Sequence, residues 1–270
     1  MTTQVVSLLR MAEITPVILT LNEEANIDRA LACLRWASEV VVVDSGSTDR
    51  TLEICATFSN VRVLHRPFDS HAAQWNFAIQ ETGIVSDWVL ALDADYALTQ
   101  EFVLALGQLT PSSSTSGYRT TFRYCVFGRQ LSGSLYPPVV TFFRRERAHF
   151  VQDGHTQRVV VDGEVAEFSV AILHDDRKPL STWFASQVRY AELGAAVLLT
   201  RGWSDLRWQD RLRKMLVITP WLVPLYCMTV GKGLLDGWHG VYYALQRAAA
   251  ETVLSLKLLE MSFLAKNRGK

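Results

Sequence analysis

Between residues 14 and 110 the apolar positions follow two alternating rhythms. Short, mostly apolar runs read as strands: Pro16 to Leu21, the β-branched Val40 to Val43, Val61 to Leu64 and Trp88 to Leu92. Between them apolar residues recur at helical spacing. Ile27, Ala30, Leu31 and Leu34 form one stripe, and Leu52, Cys55 and Ala56 a second. His71 to Gln80 reads as a third helix, stopped by Gly83, while Phe102, Ala105, Leu106 and Leu109 line a fourth. Asn22 is placed to cap the first of these helices, Thr48 or Asp49 the second and Thr99 the fourth. Strands and helices in strict alternation predict an α/β fold, a doubly wound and mostly parallel sheet with right-handed crossovers.

Ligands in such sheets bind at the carboxyl ends of the strands. Three polar clusters fall there: Thr20-Leu21-Asn22-Glu23, Asp44-Ser45-Gly46-Ser47 and Asp93-Ala94-Asp95. The last follows the unbroken apolar run Trp88 to Leu92, the pattern of a strand buried on both faces. Alternation along the strand puts Asp93 and Asp95 on one side, so two carboxylates converge. Such charges repel unless something compensates them, and an oxygen-seeking Mg2+ or Mn2+ does so economically. The plain alternative is an acidic, solvated turn ahead of the helix that Thr99 opens. No Gly-x-Gly-x-x-Gly turn follows the first strand and no Gly-x-x-x-x-Gly-Lys loop occurs, which argues against a dinucleotide enzyme and a P-loop.

Residues 111 to 117 (Pro-Ser-Ser-Ser-Thr-Ser-Gly) read as a linker. Beyond it, strand-like pieces at Tyr118 to Phe127, Val139 to Phe143, Arg158 to Val161 and Ala171 to Leu173 predict the rest of the sheet and an antiparallel part; a helix from Ser181 to Thr200 follows. The pattern then changes. Arg201 to Lys214 carries five cations against Asp205 and Asp210, with Trp203 and Trp208, and leads into the apolar run Met215 to Val230. That run is shorter than the ~20 residues of a spanning helix, and Pro220 and Pro224 interrupt it. Its composition suits the headgroup region of an anionic leaflet, or a helical arm packed on protein. Asp236 is placed to cap a last helix. The expected organisation is a domain over 1–200, in halves 14–110 and 118–200, with a helical, membrane-interfacial arm over 201–270.

With zero formal net charge, no global field points to nucleic acid as a partner. Cys33, Cys55, Cys125 and Cys227 are scattered without Cys-x-x-Cys spacing and read as reduced, which suits the cytoplasm. Met1 to Ala12 lacks the apolar core and cleavage site of a secretory signal.

Taken together, Ile-Leu-Thr-Leu-Asn-Glu-Glu (18 to 24), Val-Val-Val-Asp-Ser-Gly-Ser-Thr-Asp-Arg-Thr (41 to 51), Gln-Trp-Asn-Phe-Ala (74 to 78) and Leu-Asp-Ala-Asp (92 to 95) resemble the family 2 glycosyltransferases of the GT-A fold. Phe142 to Arg145, Gly154-His155 and His174 to Lys178 resemble the branch containing lipopolysaccharide core glucosyltransferases. The resemblance implies a nucleotide diphosphate sugar as donor, with a UDP-linked one expected. It would set Thr20, Leu21 and Glu23 around the nucleoside, Asp44 at base or ribose, Asp93 near ribose or sugar, and the metal, Mg2+ or Mn2+, on Asp95. Asn76 helps frame the donor in relatives; here capping or a helix-internal hydrogen bond is the alternative for both Asp44 and Asn76.

The same resemblance implies inversion at the anomeric carbon, with a general base on the acceptor side. Many relatives carry Glu-Asp or His-Glu at the point where this chain reads Gln152-Asp153-Gly154-His155. Asp153 is the first candidate base and His155 the second, while Asp175 and Asp176 fall near the diphosphate or the acceptor. The expected partners are a nucleotide sugar, a lipid-linked or lipopolysaccharide-type glycan acceptor and the inner face of the cell membrane, with a homodimer possible. The competing readings are a non-catalytic nucleotide-sugar or lipid-binding scaffold, and a sugar nucleotidyltransferase. The latter calls for a glycine-rich phosphate loop that Leu21 to Asn26 does not supply.

Overall fold

The structure, a computed structural model, describes residues 11–153 and 156–268. Two compact units divide the chain. The first runs through Cys125 and resumes at Tyr136–Arg177; the second joins Val126–Leu135 to residues from Lys178 onward.

The first unit is built on four parallel strands, β1 (Ile14–Thr20), β2 (Val40–Asp44), β3 (Val61–His65) and β4 (Trp88–Asp93), in the order β3-β2-β1-β4. Between them lie α1 (Ile27–Ala32), α2 (Thr51–Cys55) and α3 (His71–Gln80). After β4 come the short strand β5 (Tyr96–Ala97) and α4 (Gln100–Gln108), whose N-cap Thr99 accepts from Phe102 N at 3.1 Å. The sheet continues through β6 (Thr115–Thr120) and, after β7 (Phe122–Val126), through β9 (Val139–Arg144), which runs antiparallel between β4 and β6. The hairpin β10 (Ala148–Asp153) and β11 (Thr156–Val161) stands apart. Strand β12 (Glu164–Glu167) closes the seven-stranded sheet beside β6, and β13 (Ile172–His174) pairs with β5 and β7.

Alternating residues of the parallel strands enter two cores, which is why those strands read as continuous apolar runs. Ile18, Val42, Leu90 and Leu92 meet Ile27 and Leu31 of α1 and Phe102 and Leu106 of α4 on one face. Val17, Val41, Val43 and Val89 meet Trp75, Ala78 and Ile79 of α3, with Phe150 of the hairpin, on the other. Each fully buried side chain of this kind contributes about 1.5–3 kcal/mol through lost water contact. The sheet is mixed α/β with a mostly parallel centre, as the alternation predicts.

Two capping expectations are corrected. Asn22 does not open α1, which starts at Ile27; it sits in the left-handed region (φ 56°) and turns its side chain to Thr48 N at 2.8 Å. Helix α2 has Arg50 at its N-cap, with no side-chain cap bond, although Asp49 does accept from Thr51 N at 3.0 Å. In both cases a bond between two loops at the strand ends outcompetes the local cap.

The second unit holds the short strand β8 (Arg129–Gln130) and four helices: α5 (Leu180–Thr200), α6 (Trp208–Lys214), α7 (Thr219–Met228) and α8 (Trp238–Arg268). It thus takes in the helix that the sequence reading assigned to the first domain. Ala195 and Leu198 of α5 pack with Leu206 and with Leu258 of α8, and Arg213 pairs with the buried Glu251 at 3.0 Å. Among the described residues no helix is long and apolar enough to cross a membrane.

Asp236 is not a helix cap. It lies in a 3-10 turn, buried, and accepts from Ser132 N at 2.9 Å and Ser132 Oγ at 2.7 Å. Asp236→Ala is expected to lower the stability of the chain by about 1–2 kcal/mol through these lost charge-assisted bonds. A double-mutant cycle with Ser132→Ala in urea denaturation reads the coupling, which a capping role would leave at zero.

Candidate functional site

Strand pairing decides what meets at the site. In the parallel register Thr20 lies opposite Asp44 and Leu19 opposite Asp93, so the polar ends of β1, β2 and β4 lie side by side. With strands about 4.8 Å apart, the two aspartates are separated by roughly two strand spacings. All three clusters predicted from the sequence are therefore on one rim of the sheet.

Asp44, buried at the end of β2, is occupied by its own surroundings. Its carboxylate accepts from Gly46 N (2.8 Å), Ser47 N (2.9 Å), Ser47 Oγ and Thr20 Oγ1 (3.1 Å). Burial alone would push its pKa up, but the Ser47 hydroxyl and amide, the Gly46 amide and the Thr20 hydroxyl outweigh it and hold the pKa below the usual carboxylate range. Gly46 takes a positive φ of 103° in this turn. The turn also zips to the loop after β1: Asn22 N donates to Ser47 Oγ at 2.9 Å and Glu23 N to Thr51 Oγ1 at 2.8 Å. Thr20 is buried beneath this junction and Leu21 is exposed above it.

Asn76 is committed to the fold. Its Nδ2 donates to Phe150 O at 2.9 Å and its Oδ1 accepts from Phe150 N at 2.8 Å, so a helix side chain completes the edge of β10. Its neighbour Gln74, which the sequence reading quoted only within a motif, is buried and donates to Ser45 Oγ (2.9 Å) and Arg66 O (2.9 Å), accepting from Arg66 Nη1 in return. Gln74 thus braces the Asp44 turn from α3.

Beyond β4, Asp95 faces His174, the last residue of β13, with Nε2 3.0 Å from Oδ2. The sequence gives His174 only as part of the segment 174 to 178 in the family resemblance; it ends the short strand foreshadowed by the apolar run Ala171 to Leu173. Pairing of β13 with β5 and β7 sets His174 opposite Tyr96 and Tyr124. Tyr136 joins them, its ring centroid 4.6 Å from that of His174 and its hydroxyl 2.6 Å from that of Tyr96. Burial would lower the His174 pKa, yet Asp95, with Asp93 and Asp176 behind it, overcomes this and raises it above the ordinary histidine value. Burial, followed by the charge of Asp93, pushes the Tyr96 and Tyr136 phenols well up, so both remain neutral hydroxyls.

A second link closes the ring. Asn26, buried and missed by the sequence reading, donates from Nδ2 to Glu23 Oε2 and to Asp176 Oδ1, both at 2.9 Å. Its Oδ1 accepts from Arg177 N (2.9 Å) and Arg29 Nη2 (3.0 Å). Asp175, also buried, pairs with Arg177 at 2.8 Å and with Arg29 at 3.6 Å. Asp175 and Asp176 are thereby brought to the loop of Glu23.

Asp153 closes β10, next to Gln152, whose Oε1 accepts from Ala72 N at 3.3 Å. The side chain of Asp153, and the whole of His155, lie outside the described residues.

Asp95 supplies the kind of oxygen a hard divalent ion takes, and His174 stands beside it. Their 3.0 Å separation is that of an ordinary hydrogen bond and the raised His174 pKa favours a proton between them, so an ion bound there would have to displace that proton. His174 Nδ1 is also buried without a hydrogen-bond partner among the described residues. The carboxylate suits Mg2+ or Mn2+, whereas an imidazole ligand favours a transition ion such as Mn2+ over Mg2+. Among the described residues no group of three or more such side chains could hold a metal, so the remaining ligands would come from the substrate.

Residues 15–108 match the family described as glycosyl transferase family 2. A protein of Rickettsia typhi described as an uncharacterized glycosyltransferase is 42% identical over 92 residues, 34% of this chain and 30% of that protein. The lipopolysaccharide core biosynthesis glycosyltransferase LpsC of Rhizobium meliloti is 30% identical over 116 residues, 41% of this chain and 42% of its own length. These matches span less than half of each relative. Residues 1–349 of TarS from S. aureus, solved with UDP-GlcNAc, superpose with a TM-score of 0.49 at 16% identity, covering 94% of this chain and 92% of that one. The stretch that carries the four motifs thus matches the glycosyl transferase family 2 model, the family their resemblance pointed to.

The Asp44 turn gives a prediction with a defined pH window. A carboxylate whose folded pKa lies below its unfolded value adds stability above the unfolded value, about 3.9, and loses it as pH falls through the folded one. Asp44→Asn is expected to be about 1.5–3 kcal/mol less stable than the parent at pH 7. In chemical denaturation the gap should begin to close as pH drops below about 4, where the unfolded carboxyl takes up its proton, and finish only as pH falls through the lower folded value.

Proposed function

We propose that this chain, with its family 2 glycosyltransferase domain at residues 15–108, transfers a sugar from a nucleotide diphosphate sugar, UDP-linked by preference, to a hydroxyl of a lipid-linked or lipopolysaccharide-type glycan. The observation that carries the reading is the convergence of Asp44, Asp93 and the Asp95–His174 pair on one rim of a parallel sheet. A scaffold that only binds has no need of a buried acid and histidine set against each other beside a third carboxylate.

In this reading the interlocked loops of Thr20 to Glu23 and Asp44 to Ser47 receive the nucleoside. Asp44 acts there chiefly by fixing the turn, because its own oxygens are occupied. Asp93 lies toward ribose and sugar. Asp95 and His174 hold the ion, whose Lewis acidity would stabilise charge on the departing diphosphate by several kcal/mol. The three tyrosines keep the His174 ring in place. Asp153 is assigned the general base that removes the acceptor proton, with His155 as the second choice, and the displacement inverts the anomeric carbon. The protein works at the cytoplasmic face of the membrane, where lipid-linked acceptors present their glycans.

Transfer from a panel of labelled nucleotide sugars to lipid-extract acceptors tests this. Turnover should vanish with a chelator, return with Mn2+, and fall roughly 10³-fold or more in Asp95→Asn and His174→Gln, measured on variants whose circular dichroism matches the parent. Persistence of full activity in either variant would remove the metal role. Asp153→Asn should lower kcat by ~10²–10⁴-fold and leave the KM for the donor alone.

A further inference from the structure

Exposed apolar residues occur along several helices of the second unit, and in one region they form a stretch without charge. The sixteen residues Met215 to Val230 carry no charge. In α7 the side chains turned to solvent are Trp221, Leu222, Leu225 and Tyr226, which fall within one arc of the helix; Trp221 is 80% exposed. Val217 and Val230 extend this surface beyond the helix ends, and Leu234, Leu235 and Trp238 follow, all exposed. Trp238 is packed in turn against Phe127 and itself remains largely open.

We infer that this face is a docking surface for an anionic lipid bilayer, into which α7 lays its apolar side without spanning. A water-exposed helix face with no charged residue is costly unless something covers it. The choice of lipid rests on what frames it. Lys214 and Lys232 bracket the uncharged stretch, and Lys214 Nζ reaches Arg201 O at 3.1 Å, bringing a second basic residue beside the first. Arg201 to Lys214 carries five cations; Arg213 is paired with Glu251 and Asp210 and Arg207 with Asp210, which leaves Arg201, Arg211 and Lys214 as the frame. A second copy set face to face would crowd these cations together, whereas acidic headgroups neutralise them. Exposed tryptophans at 203, 208, 221 and 238 suit the headgroup layer, where an amphipathic ring is at home. The inference deepens the acceptor half of the proposed function and rests on that reading for its purpose, while its test does not depend on catalysis.

Flotation of the full chain with vesicles decides it. At ~0.1 M salt the parent should rise with phosphatidylcholine–phosphatidylglycerol vesicles and far less with phosphatidylcholine alone. Trp221→Ser and Leu225→Ser should each weaken binding roughly tenfold with unchanged circular dichroism. Joint Lys214→Glu and Lys232→Glu should remove the preference for the acidic lipid. Variants that float like the parent, or a parent that ignores acidic vesicles, would overturn the inference. So would a dimer in sedimentation velocity that Trp221→Ser and Leu225→Ser dissolve, since a second copy would then cover the face. Turnover with a water-soluble acceptor, run on the same variants, keeps the outcomes apart: flotation can succeed where transfer fails, and the reverse.

Discussion

Parallel pairing of β1 with β2 on one side and β4 on the other is the constraint from which the site follows. Because all three strands point the same way, their last residues share one rim, and Thr20, Asp44 and Asp93 are forced into neighbouring rows. Antiparallel pairing at either joint would send one of those acids to the far edge. The apolar character of the strands and the position of the carboxylates are thus two outcomes of one arrangement: both faces covered, chemistry left to the ends.

Around that rim the molecule satisfies its buried polar groups with side chains rather than leaving them to solvent. Asp44 is neutralised by donors of its own turn, Gln74 braces that turn from below, and Asn26 ties the first loop to the segment after β13. Each is a low-exposure polar residue with multiple partners, which is the form in which such groups survive burial. The result is a rigid frame on one side. Across it, His174 is held by tyrosine rings and strand pairing, so the frame and the acid–histidine pair are positioned by separate devices.

The sequence made the frame legible and much of its fastening invisible. Strand ends could be read because apolar runs stop abruptly at Thr20, Asp44 and Asp93. Helix α3 matched residue for residue, since Ser70 supplies a true cap to Ala73 N. Asn22, Thr48 and Asp236 misled because local capping rules know nothing of a partner more than twenty residues away, and in each case the distant bond won. His174 was hidden for a related reason. The strand-like run Ala171 to Leu173 could be read, but nothing local names its partners, and the worth of His174 comes from β5 and β7 beside it.

Asn26 has a consequence for how the chain reaches its final form. Two of its hydrogen bonds go to Asp176 and Arg177, across some 150 residues of intervening chain. Closing so large a loop is slow and comes late, as with other contacts of long sequence separation. During synthesis the first four strands can assemble while this buried amide still waits for its partners. The nucleotide-side loops therefore reach their working shape only after residue 177 has been made, and a ribosome paused before β13 holds a sheet whose rim is unlatched.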